Sequence, residues 1–552
     1  MLGKRREINY NAKIDYSILN NLVVTATYAQ QFRNNIFGEY YPRTSLFRGF
    51  NRSGLARRAV DDNDFSLFET YGTYTTDFSG INLSATAGYS FQQTSFESFF
   101  VQAGNFPNDI LGFNALEFSR DLTRGGLLTI GSDASPNERI IAQFARVNLS
   151  FDGGIFLNAS VRREGSTKLG VDNQWGIFPA VGVGVDLNRY LNLATFDQLK
   201  FRAGYGVTGS LPRDNGLSQD RYSFGYARGG ANSEFERIGN PNLKWEQKQE
   251  LNVGFDMSSA NGKLNGSLDV YTRNIKDFVL ELDVDAAVFG APRQFQNAGA
   301  LRTNGIEAAL GYVFDMGDLS WSPGIVLSSY KTILKDFVID EQMRANLGAP
   351  GQNGTNIIRT KVGEEIGQIW GPRFSGSVDE NGVPIMVDLN GDEQLITNQG
   401  SALLPEGDFE VLGKGIPSLE IGWTNQLTYR NWDLNVFFRG AFGHSLVNSF
   451  RAFYEPRIPG QINSYNASNT SLARDDIQSA QFSSYYVERA DFLRLDNATL
   501  GYNFVTPQGS AFNTIRIYTS VQNAFVITGY NGLDPDPVLQ DFGSIDNGGR
   551  PN

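Results

Sequence analysis

The chain has 552 residues, 59 acidic and 47 basic side chains, a net charge of −12, one histidine and no cysteine. An acidic surface repels phosphate, which argues against nucleic acid as a partner. Without cysteine there is neither a disulfide scaffold nor a zinc–thiolate site, and a single His444 argues against a multi-histidine metal centre or a histidine triad.

Phenylalanine (41), tyrosine (23) and glycine (60) are abundant, as many strands, tight turns and aromatic surface would require. In chain order, Ile8, Tyr10, Ala12, Ile14, Tyr16 and Ile18 alternate with Asn9, Asn11, Lys13, Asp15 and Ser17. After Asn20-Asn21, Leu22, Val24, Ala26 and Tyr28 repeat the pattern. It returns at Leu83–Phe91, Ile155–Val161 and Leu199–Val207. The clearest copy is a hairpin. Leu251, Val253, Phe255 and Met257 lead to Asn261-Gly262, and Leu264, Gly266, Leu268 and Val270 lead away. A period of two on both arms, with a residue pair tolerant of positive φ between them, predicts paired strands. Ile306–Phe314, Ile421–Tyr429, Trp432–Phe442 and Ile515–Phe525 continue the series.

The connections alternate in length. Short turns fall near residues 20, 80, 153, 190, 261, 316, 430 and 508; long loops span 32–64, 97–140, 164–174, 208–247, 280–303, 335–416 and 444–486. Short turns on one side and long loops on the other predict an antiparallel transmembrane β-barrel of the outer-membrane type, with about sixteen strands in the chain. No run of ~18 apolar residues predicts a transmembrane helix, and Met1–Arg6 has no signal-peptide pattern. A propeller would show a fixed repeat of ~40–50 residues, which is absent. The apolar alternation is expected to face lipid, the polar one the lumen. The first strand runs into a short turn and the last leaves one. With an even strand number and both termini periplasmic, this predicts an incomplete barrel.

Particular segments resemble the SusC/RagA family of TonB-dependent outer-membrane transporters. Gly239-Asn240-Pro241-Asn242-Leu243-Lys244-Trp245-Glu246 is similar to the family's N-P-x-L-x-W-E segment. Arg163–Gly170 with Trp175-Gly176-Ile177-Phe178-Pro179 resembles its D-G-S-S-x-F-G…W-G-x-F-P segment, and Tyr205–Gly209 its Y-G-x-T-G. Tyr486-Val487-Glu488, Phe492–Leu495 and Thr499–Tyr502 resemble its Y-x-E…L-R-L…L-G-Y strand; Gln522–Phe525 and Gly532–Pro535 resemble its Q-N-x-F…G-x-D-P pattern. The resemblance implies a 22-stranded barrel around a plug, a SusD-like surface lipoprotein over the long loops, and a TonB–ExbB–ExbD complex acting through the plug. It implies a ligand of the oligosaccharide or oligopeptide class, and outer-membrane lipid around the wall. Neither plug, TonB box nor final strand is recognisable, so residues 1–552 are expected to be the barrel portion alone. A passive porin or adhesin barrel without a plug, and a secreted all-β carbohydrate-binding protein, remain alternatives.

Candidate sites are few. Asp388-Leu389-Asn390-Gly391-Asp392 places oxygens at alternate positions, as a calcium loop does. Glu393 stands where the turn glycine would be and Gln399 where the twelfth-position glutamate would be, so an acidic surface turn is the competing reading. Phe96, Phe99 and Phe100 in one expected loop, and Phe450, Phe453 and Tyr454 in another, offer flat faces for stacking on a ligand or packing among loops. Trp245 is expected to anchor the chain at the membrane interface, and His444 to lie in a loop. Scattered carboxylates such as Asp61, Asp62 and Asp64 read as solvated loop charge, not as a glycosidase pair.

Overall fold

The computed structural model describes residues 2–537 except 47–49, 123–127, 228–229, 291–292, 349–354, 392–406, 458–467, 480, 506, 508 and 510–511. Among the described residues, seventeen strand segments belong to one sheet. Sixteen are separate barrel-type strands; the seventeenth, Phe314–Met316, continues the strand Arg293–Tyr312 past Val313. No helix among the described residues is long and apolar enough to cross a membrane.

The chain divides into two compact units. The first holds residues 1–185, 203–251 and 275–299. Its strands β1 (Leu2–Leu19), β2 (Leu22–Tyr41), β3 (Leu55–Phe78), β4 (Ile81–Gly104), β5 (Thr129–Phe151), β6 (Ile155–Ser166) and β7 (Trp175–Asp186) pair antiparallel, each with the next. From Leu55↔Gly104 to Phe78↔Ile81 the β3–β4 register is unbroken. The second unit holds residues 186–202, 252–274 and 300–552. In it Leu319–Phe337, Leu419–Tyr429, Trp432–Phe442, Phe492–Phe504 and Ile515–Thr528 pair in that order. β1 and the strand Ile515–Thr528 are exposed along nearly their whole length on both faces, as strands at the edge of a sheet are.

The alternation read from the sequence is the alternation of the faces. Leu251, Leu268 and Val270 are 46, 44 and 54% exposed, while Asn252, Asp256 and Asp269 of the other parity are half-buried. Side chains of that size in water would cost about 1.5–3 kcal/mol each relative to burial, so an exterior built of them requires lipid. The opposite parity carries the polar groups. Arg202 forks onto Asp256 (2.7 and 2.8 Å) and Asp269 (3.1 and 3.0 Å) from three strands' polar faces. At the bend of the hairpin, Asn261 and Gly262 have φ of +57° and +78°, with Ala260 at +55°.

The structure corrects the loop boundaries. Strands continue well past the point where alternation fades, so the long connections are 42–54, 105–128, 167–174, 211–245, 284–292, 338–418 and 443–491. β3 and β4 have 24 residues each, or about 80 Å at ~3.3 Å per residue, whereas an apolar band ~25 Å tall needs only about ten. The upper parts of β2 and β3 carry Asn34, Asn35, Asp61, Asp62, Asn63 and Asp64 on both faces, paired as strand. Once clear of lipid a strand loses its apolar face but not its ladder. The short turn near 190 is also longer than expected: residues 187–197 begin with a helical turn, Leu187–Leu191, capped by Asp186.

Reversing one face tests this assignment. Leu268→Arg and Val436→Arg should each destabilise by about 2–4 kcal/mol near the midplane and lower the heat-modifiable fraction on gels. Asn265→Arg and Asn435→Arg, on the polar parity, should leave it intact; equal losses from both pairs would refute the orientation.

Candidate functional site in the long connections

In the first unit, sequence segments far apart in the chain meet at one junction. Leu169, Phe178, Val207, Leu217, Leu243 and Trp245 form a buried cluster. Trp245 is 5% exposed, lies edge-on to Phe178 at 5.2 Å and donates its indole N–H to the Gln174 carbonyl at 2.8 Å. The Gly170 amide donates to the Leu243 carbonyl at 2.9 Å. A Cβ at Gly170 would sit 1.8 Å from the Pro241 oxygen, so only glycine permits the approach. Lys168 is buried, donating to the Pro212 and Arg213 carbonyls (3.1 and 3.0 Å) and pairing with Glu138 at 3.2 Å. Trp245 is therefore an anchor, but of a loop core and not of the lipid interface: Leu169, Leu217 and Leu243 of two connections are buried around it.

Residues 105–122 are fastened to the upper strands chiefly by a buried carboxylate. Asp121, 2% exposed, accepts from the Gly104 amide at 2.6 Å, from Arg52 at 2.5 Å and from the Asn105 amide group. Burial pushes its pKa up, but these donors outweigh it and hold it below the ordinary aspartate value of 3.8. Phe106 packs with Ala56 and Ala103, and Tyr40, Phe113 and Leu116 close over them. Tyr40 donates to Asp109 at 2.7 Å.

The expected aromatic loop at Phe96, Phe99 and Phe100 is instead the upper part of β4, opposite Asn63, Val60 and Ala59. Phe96 and Phe100 share one face and Phe99, 50% exposed, points from the other. Arg57 lies over the Phe100 ring at 4.7 Å. The three do not make one patch, because a strand separates neighbours by parity.

In the second unit the aromatic residues do converge. Asn448 caps a helix, Ser449–Tyr454, accepting from the Arg451 amide. Phe450 and Phe453 each lie against Tyr454, at 4.9 and 4.6 Å between ring centres. Phe450 is 40% exposed. Beneath them Arg451, 3% exposed, pairs with Glu455 at 2.8 Å and Glu488 at 2.9 Å and donates to the Tyr485 carbonyl at 3.0 Å. Glu488 also accepts from Asn448 and from the Asn531 amide (3.0 and 2.8 Å). Burial pushes its pKa up, but these donors hold it below the usual glutamate value. The turn Asn531–Asp536 is drawn onto the wall by Arg494–Asp534 and by Arg439–Asp536 at 2.6 Å. His444 lies in a connection, as expected, but it is buried. It is 4% exposed, its Nε2 lies 3.3 Å from the Pro535 carbonyl and its ring stands edge-on to Phe492.

At the acidic turn, the Gly391 amide donates to Asp388 at 2.6 Å, and Asp408 accepts from the amides of Leu389 and Asn390 (2.8 and 3.3 Å). Asp392 lies outside the described residues. Among the described residues no group of three or more His, Asp or Glu is placed to hold a metal. The geometry of Asp388 and Asn390 is that of a turn closed by its own backbone donors.

Two substitutions probe these supports. Trp245→Ala should cost about 3–5 kcal/mol, read as a lower unfolding temperature. Because Asp121 titrates below 3.8 when folded, its contribution is complete above about pH 4 and is lost as pH falls through the folded value. Amide exchange at 104–122, corrected for intrinsic rates, should rise only below pH 4, whereas Asp121→Asn, costing about 1–3 kcal/mol, should raise it at neutral pH.

The chain matches the family model described as TonB dependent receptor-like, beta-barrel, over residues 3–523. It is 26% identical to TonB-dependent receptor P3 of Formosa agariphila over 97% of this chain and 55% of that protein. It is also 26% identical to TonB-dependent receptor SusC of Bacteroides thetaiotaomicron, over 72% of this chain and 41% of that protein. It thus spans about half the length of the curated relatives it matches. The solved RagAB peptide transporter superposes with a TM-score of 0.83 at 19% identity, over 97% of this chain and 59% of that one. The chain belongs to the TonB-dependent receptor β-barrel family of the outer membrane, and its likeness is to the SusC/RagA type.

Proposed function

We propose that this chain forms the wall and outer loops of a TonB-dependent importer for oligosaccharides or oligopeptides. The observation that carries the reading is the family-model match over residues 3–523, joined to similarity with SusC and with the RagAB peptide transporter. The exposed apolar exterior argues against a secreted soluble protein. In this reading a plug domain occupies the lumen and transmits force from the TonB–ExbB–ExbD complex, and a SusD-like lipoprotein covers the long connections.

The helix Ser449–Tyr454 is the part of the second unit best built to meet such a ligand. Aromatic faces stack on sugar rings and on apolar peptide side chains alike, and Arg451 fixes the helix from below by two charge-assisted hydrogen bonds. Phe96 and Phe100 are a second candidate surface, in the first unit. Calcium at Asp388, Asn390 and Asp392 is proposed only as a stabiliser of the turn.

Uptake of labelled oligosaccharides and oligopeptides by cells carrying the full-length protein tests the reading. Uptake should need TonB and stop with an uncoupler; uptake independent of TonB would mean a passive porin. Replacing Phe450, Phe453 and Tyr454 together by Ala should weaken ligand binding by at least about tenfold, at about 0.5–1.5 kcal/mol per stacked ring, without altering heat-modifiability.

A further inference from the structure

The exterior face of β5–β7 ends in a feature that neither the loops nor the lumen uses. Climbing β6 from the turn at 152–154, the exterior residues are Ile155, Leu157, Ala159 and Val161, and then Arg163. On β5 the same face carries Leu149, Val147, Ala145, Gln143, Ile141 and then Arg139. On β7 it carries Val181 and Ile177, 55 and 62% exposed, with Trp175 above them.

Height can be estimated from residue count. At ~3.3 Å per residue and a tilt of ~40°, Arg163 stands about 20 Å above the turn and Arg139 about 30 Å, straddling the upper edge of an apolar band ~25 Å tall. Short turns are periplasmic in such barrels and long connections extracellular, so this edge is the headgroup level of the outer leaflet. Trp175 fits that level, where indoles are favoured.

Both arginines are exposed, and among the described residues neither has a carboxylate partner. Arg163 lies over the Trp175 ring at 3.9 Å and donates to Gln143 at 3.2 Å; Arg139 donates to Gln93 at 3.0 Å. These neutral partners orient the guanidinium groups and leave their charge unmet. On the polar parity, by contrast, Arg202 is met by two carboxylates. A cation held at the lipid boundary with its charge uncompensated by protein calls for an anion from the membrane, and a guanidinium fork suits phosphate.

We propose that Arg139, Arg163 and Trp175 form a docking site for the phosphate groups of a phosphorylated glycolipid of the outer leaflet. The arginines take the phosphates and Trp175 lies along the sugar–acyl junction. Such a lipid would hold this sector of the wall at fixed depth. The inference rests on the outer-membrane orientation and not on which ligand is transported.

The test uses the full-length protein in a neutral detergent, titrated with diphosphorylated lipid A and read by native mass spectrometry. Retention of lipid A should fall roughly 30-fold in Arg139→Gln/Arg163→Gln. Dephosphorylated lipid A should bind the unaltered protein as weakly as lipid A binds that variant. Arg139→Lys/Arg163→Lys should recover most of the binding, which separates lost charge from misfolding, and heat-modifiability should be unchanged in both variants. Equal retention of lipid A by the glutamine variant, or of the two lipids by the unaltered protein, would overturn the proposal. Displacement of lipid A by millimolar inorganic phosphate would overturn its assignment to a lipid.

Discussion

Everything in this chain follows from the cost of an unpaired backbone group in lipid. Each such N–H or C=O costs several kcal/mol there, so the chain can cross only as a ladder in which each strand satisfies its neighbour. The ladder fixes the side-chain period at two, and that period divides the molecule into an exterior that tolerates Leu251, Leu268 and Val270 bare and a lumen that gathers Arg202, Asp256 and Asp269. The same constraint explains why the strands outlast their apolar face. Above the lipid, water could satisfy the backbone of β3 and β4, yet the unbroken register to Leu55 and Gly104 extends the paired wall outward and gives the loops a rigid base.

On that base the connections are fastened by buried charge. In the first unit Asp121 gathers Gly104, Asn105 and Arg52, and Lys168 gathers two carbonyls and Glu138. In the second, Arg451 gathers Glu455, Glu488 and a carbonyl, and Arg359, lying over Trp370 at 3.8 Å, pairs with Glu341 and Glu364. A buried charge with several donors or acceptors around it specifies one arrangement, because removing any partner leaves an uncompensated ion. Long connections with modest apolar content can thus be ordered without a large core of their own.

The segments that carried the family resemblance turn out to be the contact points of these loops. Those at 163–179, 205–209 and 239–246 meet around Trp245 in the first unit. Those at 486–495 and 532–535 meet through Arg494–Asp534 in the second, with Asn531 just before the latter bonded to Glu488. Their residue types follow from the contacts: Gly170 because Pro241 lies against it, Trp245 because its ring needs Phe178 and its N–H needs Gln174. Their chemistry is that of packing, which is why they mark the fold and say nothing of the ligand.

Alternation and turn chemistry, both local, were enough to determine strand direction, a wall of about sixteen strands among the described residues, which residues share a face, and the bend at Asn261-Gly262. They could not show where strands end above the membrane, because polar residues on both faces of Asn34–Tyr41 look like loop while the hydrogen bonds that make them strand lie on β3. Nor could they place Phe96 and Phe99 on opposite faces without the strand assignment, bury His444 beneath Pro535, or take Trp245 out of the lipid interface. Those outcomes depend on partners tens to hundreds of residues away. A single sequence records the residue at each end of such a contact but not the contact, and only the folded chain brings the two ends together.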